Sequence, residues 1–204
     1  RGYSMSDIQI KRLTGTSINP YIDALATLRI TVFREFPYLY DGSFQYEQKY
    51  LKRYTVSDET VVVVAIDGDK VIGASTGMPM KDDDEMVKSP FVSEGYPIDE
   101  IFYFGESVLL NDYRGQGIGV RFFLEREAHA KSLGYKTTTF CAVDRPSDHP
   151  RKPSNYIPLH NFWSKRGYVI HPELKAIFKW QDLDESTESP KQLTFWLKQL
   201  DKDF

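Results

Sequence analysis

Cysteine, long apolar runs and net charge are all scarce in this sequence, and each shortage excludes a class of protein. A single cysteine, Cys141, stands among 204 residues, so no internal disulfide forms and a cross-linked secreted scaffold is excluded. The longest apolar run covers only residues 61–66, far short of the ~20 residues a membrane-spanning helix needs. Lys and Arg number 26 against 29 Asp and Glu, for a net charge of −3; the basic excess of a nucleic-acid binder is missing. The histidines are few, and Asp144, Asp148, His149 and His160 stand at no recognised ligand spacing, so no metal is expected. No signal-peptide pattern opens the chain. The expectation is a cytoplasmic protein with neither nucleic acid nor membrane as partner. Residues 1–4, ahead of Met5, read as a cloning scar, and residues 5–204 read as one domain without repeat or linker.

What is present is α/β patterning. A strand is expected over residues 9–13. From Pro20 onward Ile22, Leu25, Ala26, Leu28, Arg29, Val32 and Phe33 recur at helical spacing until Pro37. Tyr46, Tyr50, Leu51 and Tyr54 mark a second amphipathic helix. Residues 60–67 and 71–78 form a hairpin across Asp67-Gly68, and the acidic run of residues 82–85 reads as a solvated loop. A short helix over 86–94 leads to one continuous strand over 101–110. A helix over 117–133 closes at Gly134, and a threonine-rich strand covers 137–143. The four-proline loop 144–158, a short helix over 159–166, and strands at 176–180 and 193–197 complete the pattern. The class is α/β, a mixed sheet flanked by helices.

Between the strand ending at residue 110 and the helix lie Gly115, Gly117 and Gly119, three glycines in five positions. Strand, glycine loop and helix in that order make an anion site, because the first helical turn has unpaired N–H groups and a positive dipole end. The dinucleotide pattern G-x-G-x-x-G fails, since Val120 occupies its sixth position; the Walker A pattern fails because no lysine follows Gly119. The pattern that fits is R-x-x-G-x-G, from Arg114, Gly117 and Gly119.

This motif resembles the acyl-CoA-binding loop of the GNAT superfamily of N-acetyltransferases. Residues 106–115 also resemble that family's E-L-x-V-x-P-x-x-R-G, with Ser107 in place of leucine and Asn111 in place of proline. Asn155 with residues 162–168 is similar to its N…FY-x-K-x-GF segment, so the likeness spans roughly residues 9–197. Residues 28–42 look like one bacterial branch, for which no acceptor is assigned. The resemblance implies the GNAT acyltransferase fold with a splayed central strand pair. It implies acetyl-CoA as co-substrate without a metal, and direct transfer of acetyl, in a ternary complex, to a primary amine on a small molecule or peptide. A monomer or homodimer fits it equally.

Residue by residue, the resemblance puts Arg114, Gly115, Gln116, Gly117, Ile118, Gly119, Val120 and Asn155 on the cofactor. The backbone of Val108, Leu109 and Leu110 would polarise the thioester carbonyl. An alkyl amine is only about one part in a thousand neutral at pH 7, so a base is needed. Glu106, a carboxylate inside an apolar strand, is the candidate, and a structural glutamate paired to an arginine is the alternative. Trp163 occupies the position of the usual tyrosine acid, which leaves Tyr156, His160 or Tyr103 as proton donors, or a thiolate that departs unprotonated. Arg29, Arg34, Glu35 and Tyr38 stand where the acceptor side is built, with a solvated face as the alternative for Arg29 and Glu35. The loop 144–153 is an acceptor wall, or else Arg151 and Lys152 meet the ribose phosphate. Cys141 reads as packing. Trp163 keeps open a rival reading, a non-catalytic coenzyme A-binding sensor or regulatory module; a phosphate-binding nucleotide enzyme is a further one.

Overall fold

Val61 to Val64 are all fully buried, which requires cover on both faces of their strand. In the computed structural model, which describes residues 7–201, that cover is supplied by helices on either side of one sheet. The reading of residues 1–4 as a cloning scar lies outside the described residues. Strands β1 (Ile8–Leu13), β2 (Val61–Asp67) and β3 (Lys70–Pro79) form an antiparallel meander. Val62 and Val64 pack on α1 (Ile22–Phe33) and the residues after α2 (Phe44–Leu51); Val61 and Val63 pack against α4 (Ile118–Ser132). A third helix, α3 (Glu85–Ser93), packs Val87 and Phe91 on the far end of the sheet. The remaining elements are β4 (Ile101–Tyr103), β5 (Ser107–Leu109), β6 (Thr137–Val143), α5 (His160–Lys165), β7 (Val169–Trp180) and β8 (Ser189–Gln199). The sheet runs β1-β2-β3-β4-β6-β8-β7, with β5 also paired to β3. Every pairing is antiparallel except β4 with β6.

The expected continuous strand over 101–110 is two strands, broken at residues 104–106. Both halves pair with β3, but only the first also pairs with β6. The first follows β6, ending at the bond from Phe104 N to Thr139 O at 2.8 Å; the second follows β3, through Thr76 N to Glu106 O and Leu110 N to Ile72 O, both 2.9 Å. Gly105 permits the kink, since a Cβ there would meet the Tyr54 hydroxyl at 2.6 Å and Thr76 Oγ1 at 2.7 Å. Arg126 of α4 then pins it. Its Nη1 donates to the carbonyls of Thr76 at 3.2 Å and Glu106 at 3.3 Å, and the guanidinium lies 4.2 Å from the Phe104 ring centre. Arg126 is 1% exposed, and burial pushes its pKa down to about 10. Its guanidinium is matched by carbonyl dipoles and aromatic faces.

Other boundaries differ for local reasons. Pro20 sits in a 3-10 turn, Gly15–Tyr21, ahead of α1, and α2 stops at Leu51 before a second such turn, Lys52–Thr55. The acidic run is not a solvated loop throughout: Asp83 is buried and pairs with Arg53 at 3.1 Å. The last two strands are longer than expected because they pair with each other across a bulge between His171 and Lys175.

Candidate functional site

The break in the central strand opens the site. Beyond Thr139, β6 stays with β8 while β5 stays with β3, so the two splay apart. An antiparallel ladder alternates bonded and non-bonded pairs. Residues 106 and 110 bond to β3, and the same alternation turns 108 inward. The peptide groups of Ser107 and Leu109 therefore face the gap, and Arg114 Nε donates to the outward Leu109 carbonyl at 3.3 Å. Of the expected trio, only Leu109 turns its amide to the gap; Val108 and Leu110 turn theirs to β3, and Ser107 joins instead.

The three glycines have two different reasons. Gly115 (φ +79°) and Gly117 (φ +83°) are left-handed, and a Cβ at either would meet nothing within 4 Å. Conformation requires glycine there, and the space above stays open. Gly119 lies inside α4, where a Cβ would meet the Phe162 ring of α5 at 3.2 Å. The helical ladder begins with Arg121 N to Gly117 O at 3.2 Å, so the amides of Ile118, Gly119 and Val120 have no intrahelical acceptor. Gln116 carries a buried Oε1 without a hydrogen-bond partner beside them. Arg114 does not reach over the loop. It staples the loop's start, through Leu109, Asn111 Oδ1 at 3.4 Å and Glu35 at 3.1 Å.

Among the residues expected downstream, Asn155 is exposed on its loop. Tyr156 and His160 are drawn to different places. Tyr156 stands edge-on to Phe36 at 4.8 Å, on the acceptor side, while His160 lies 5.3 Å from Trp196 of β8. Trp163 is wedged between Phe140 at 5.0 Å and Trp196 at 5.2 Å, extending the core rather than offering a proton.

The side of the gap expected to take the acceptor is tied together by arginines. Arg145 donates to the carbonyls of Pro37 at 2.7 Å and Tyr38 at 2.8 Å, and grips Asp182 with two bonds of 3.0 and 2.9 Å. Arg151 grips Asp184 in the same forked way. The loop 144–158 is thereby tied to the segment after α1 and to the β7–β8 turn. Tyr38 lies within the gap beside β6, and burial, then the nearby Cys141 thiol, raises its pKa. Arg34 is separated from it, pairing with Asp41 at 3.3 Å on the surface. Burial also raises Tyr103 and Tyr156, so these phenols hold their protons at neutral pH.

Glu106 lies at the strand break with its side chain 6% exposed, in contact with the guanidinium of Arg29. The same guanidinium binds the fully buried Glu47 at 2.5 Å, and Glu47 also accepts from the Tyr40 hydroxyl at 2.8 Å. Arg29 is sandwiched by Phe33 and Tyr50, with ring centres at 5.1 and 4.7 Å. Burial alone would lower its pKa, but the Glu106 carboxylate, the Tyr50 phenol and the Glu47 carboxylate around it drive it well above the ordinary value. Arg29 is thus no solvated face; its place four residues after Leu25 in the apolar stripe was the available signal.

Cys141, 3.5 Å from the Tyr103 hydroxyl, has its pKa pushed up to about 12 by burial. Alkylation at pH 8 should therefore run on the order of a thousandfold slower than for a free thiol. Mass-spectrometric timing checks this, and labelling at the free-thiol rate would contradict it. Among the described residues no group of three or more His, Cys, Asp or Glu side chains is placed to hold a metal. No described helix is long and apolar enough to cross a membrane.

No protein-family model matches the chain, and a search of curated proteins returns no match. Solved structures do match. The ribosomal-protein-alanine N-acetyltransferase of Brucella melitensis superposes with a TM-score of 0.60 at 13% identity, over 94% of this chain and 99% of that one. The Salmonella typhimurium protein yncA, solved with its cofactor acetyl-CoA, gives 0.57 at 11% identity over 97% and 96%. The PaiA N-acetyltransferase of Thermoplasma acidophilum, solved with coenzyme A, gives 0.52 at 13% identity over 95% and 99%. This chain has the GNAT acetyltransferase fold, an open mixed sheet flanked by helices and splayed at its centre.

Proposed function

We propose that the chain is an N-acetyltransferase that moves acetyl from acetyl-CoA to a primary amine by direct transfer. The observation that carries this is the outward pair of peptide groups at Ser107 and Leu109, followed along the chain by the open glycine turn at the start of α4. The cradle suits a diphosphate: three unpaired N–H groups at a helix start, and open space above two left-handed glycines. Residues 115–120 hold the pyrophosphate. The amides of Ser107 and Leu109 polarise the thioester carbonyl. The amine nitrogen attacks that carbon, the N–C bond forms, the C–S bond breaks, and Glu106 takes the amine's proton. A phenol of the Tyr38, Tyr103 and Tyr156 group protonates the leaving thiolate, since Trp163 has no proton to give. The rival reading, a coenzyme A-binding module without catalysis, draws its support from Trp163.

Calorimetry tests the donor. The protein should bind coenzyme A in preference to ATP and NAD. Gly117→Ala, which places a side chain on the phosphate path and costs about 1–2 kcal/mol of backbone strain, should weaken coenzyme A binding at least about tenfold by crowding the bound anion. Equal binding of all three ligands, or an unaffected Gly117→Ala variant, would overturn the donor assignment.

A further inference from the structure

Arg29 carries one positive charge and touches two carboxylates, so the Glu106–Arg29–Glu47 triad holds one negative charge in excess. The three side chains are 6%, 13% and 0% exposed, a setting in which an unmatched charge is costly. The two glutamates are not equivalent. Glu47 is satisfied by Arg29 and the Tyr40 hydroxyl, whereas the buried Oε1 of Glu106 accepts no hydrogen bond and meets only the Arg29 charge. The excess therefore sits on Glu106, at the strand break.

The acceptor-side arginines near it are paired with carboxylates, whereas the buried Arg126 is turned to the carbonyls of Thr76 and Glu106 and Lys152 bonds only the Ser147 carbonyl. Arg53 is held by Asp83 and Asp84, Arg145 by Asp182, Arg151 by Asp184, Arg114 by Glu35, Arg34 by Asp41, and Lys175 by Asp144. No guanidinium or ammonium in these pairs is left for a carboxylate arriving with the acceptor. Phe36, Tyr38 and Tyr156 offer aromatic walls instead.

We propose that the acceptor is a small amine with no carboxylate on its amine-bearing carbon, docking as an ammonium that supplies the triad's missing positive charge. This rests on the acetyl-transfer reading above. Its alkyl or aromatic body lies against Phe36, Tyr38 and Tyr156. A free α-amino acid brings a second anion beside Glu106 and finds the neighbouring guanidinium groups of Arg53, Arg114, Arg145 and Arg151 already paired.

Matched pairs test this: tyramine against tyrosine, and cadaverine against lysine, differing by the α-carboxylate alone. Thiol release from acetyl-CoA gives kcat/KM, and calorimetry on the coenzyme A-loaded protein gives amine affinity. The carboxylate-free member should win by at least about 100-fold in each pair, as like charges brought together demand. Glu47→Gln removes the excess charge, so KM for the amine should rise about tenfold and the preference within each pair should shrink to under about tenfold. A purely structural Glu47 would depress both members equally and leave their ratio unchanged, which would overturn the triad's role. Amine preference in binding without turnover would sink the acetyl-transfer reading and leave the docking site standing. Equal handling of amine and amino acid, or no binding of either, would overturn the proposal itself.

Discussion

Glu106→Gln should lower kcat by about 10²–10⁴-fold, the worth of a positioned general base, while coenzyme A affinity stays as in the parent. Glutamine has the same shape, and Arg29 retains Glu47 as its partner, so the fold survives the change. The pH profile distinguishes lost basicity from misplacement. Without a base the reaction depends on amine that is already neutral, a fraction that rises about tenfold per pH unit below the amine's pKa near 10.4. The variant's rate should therefore climb about tenfold per unit from pH 7 to 9, where the parent's profile is flatter. Kinetics equal to the parent's would remove Glu106 from the chemistry and return it to the structural alternative.

Arg29→Met should cost about 3–5 kcal/mol of stability, because it strands two buried carboxylates. In a chain of this size that lowers Tm by about 10 °C. The exposed pair between Arg12 and Glu125, at 37% and 23% exposure, is the control, and Arg12→Ala should cost under about 1 kcal/mol. Equal Tm losses for the two variants would show that the triad is not the buried anchor described here.

Much of the fold was legible because its signals are local. The strand Thr137–Val143 was expected residue for residue, as a β-branched run between Gly134 and the turn at Asp144. The glycine loop was legible for the same reason: Arg114, Gly117 and Gly119 lie within six positions. The strand break at residues 104–106 was not, because the apolar run is continuous and only the competing partners β3 and β6 divide it. For Arg126 and Arg29 the one sign of burial visible in the sequence was their helical spacing from apolar residues. Their partners were not visible: the carbonyls of Thr76 and Glu106, and the carboxylate of Glu47, come from distant parts of the chain. The acceptor side suffered most, since its clamp joins Pro37, Tyr38, Arg145 and Asp182 across more than a hundred residues.

The central claim is acetyl transfer to an amine, and one assay addresses it most directly. The protein is incubated with acetyl-CoA and a panel of primary amines, while free thiol and acetylated product are followed together. Amine-dependent thiol release, matched mole for mole by N-acetylated product, is the expected result. Tight coenzyme A binding with no thiol released above background for any amine would contradict it, and would leave a binding module built on the same fold.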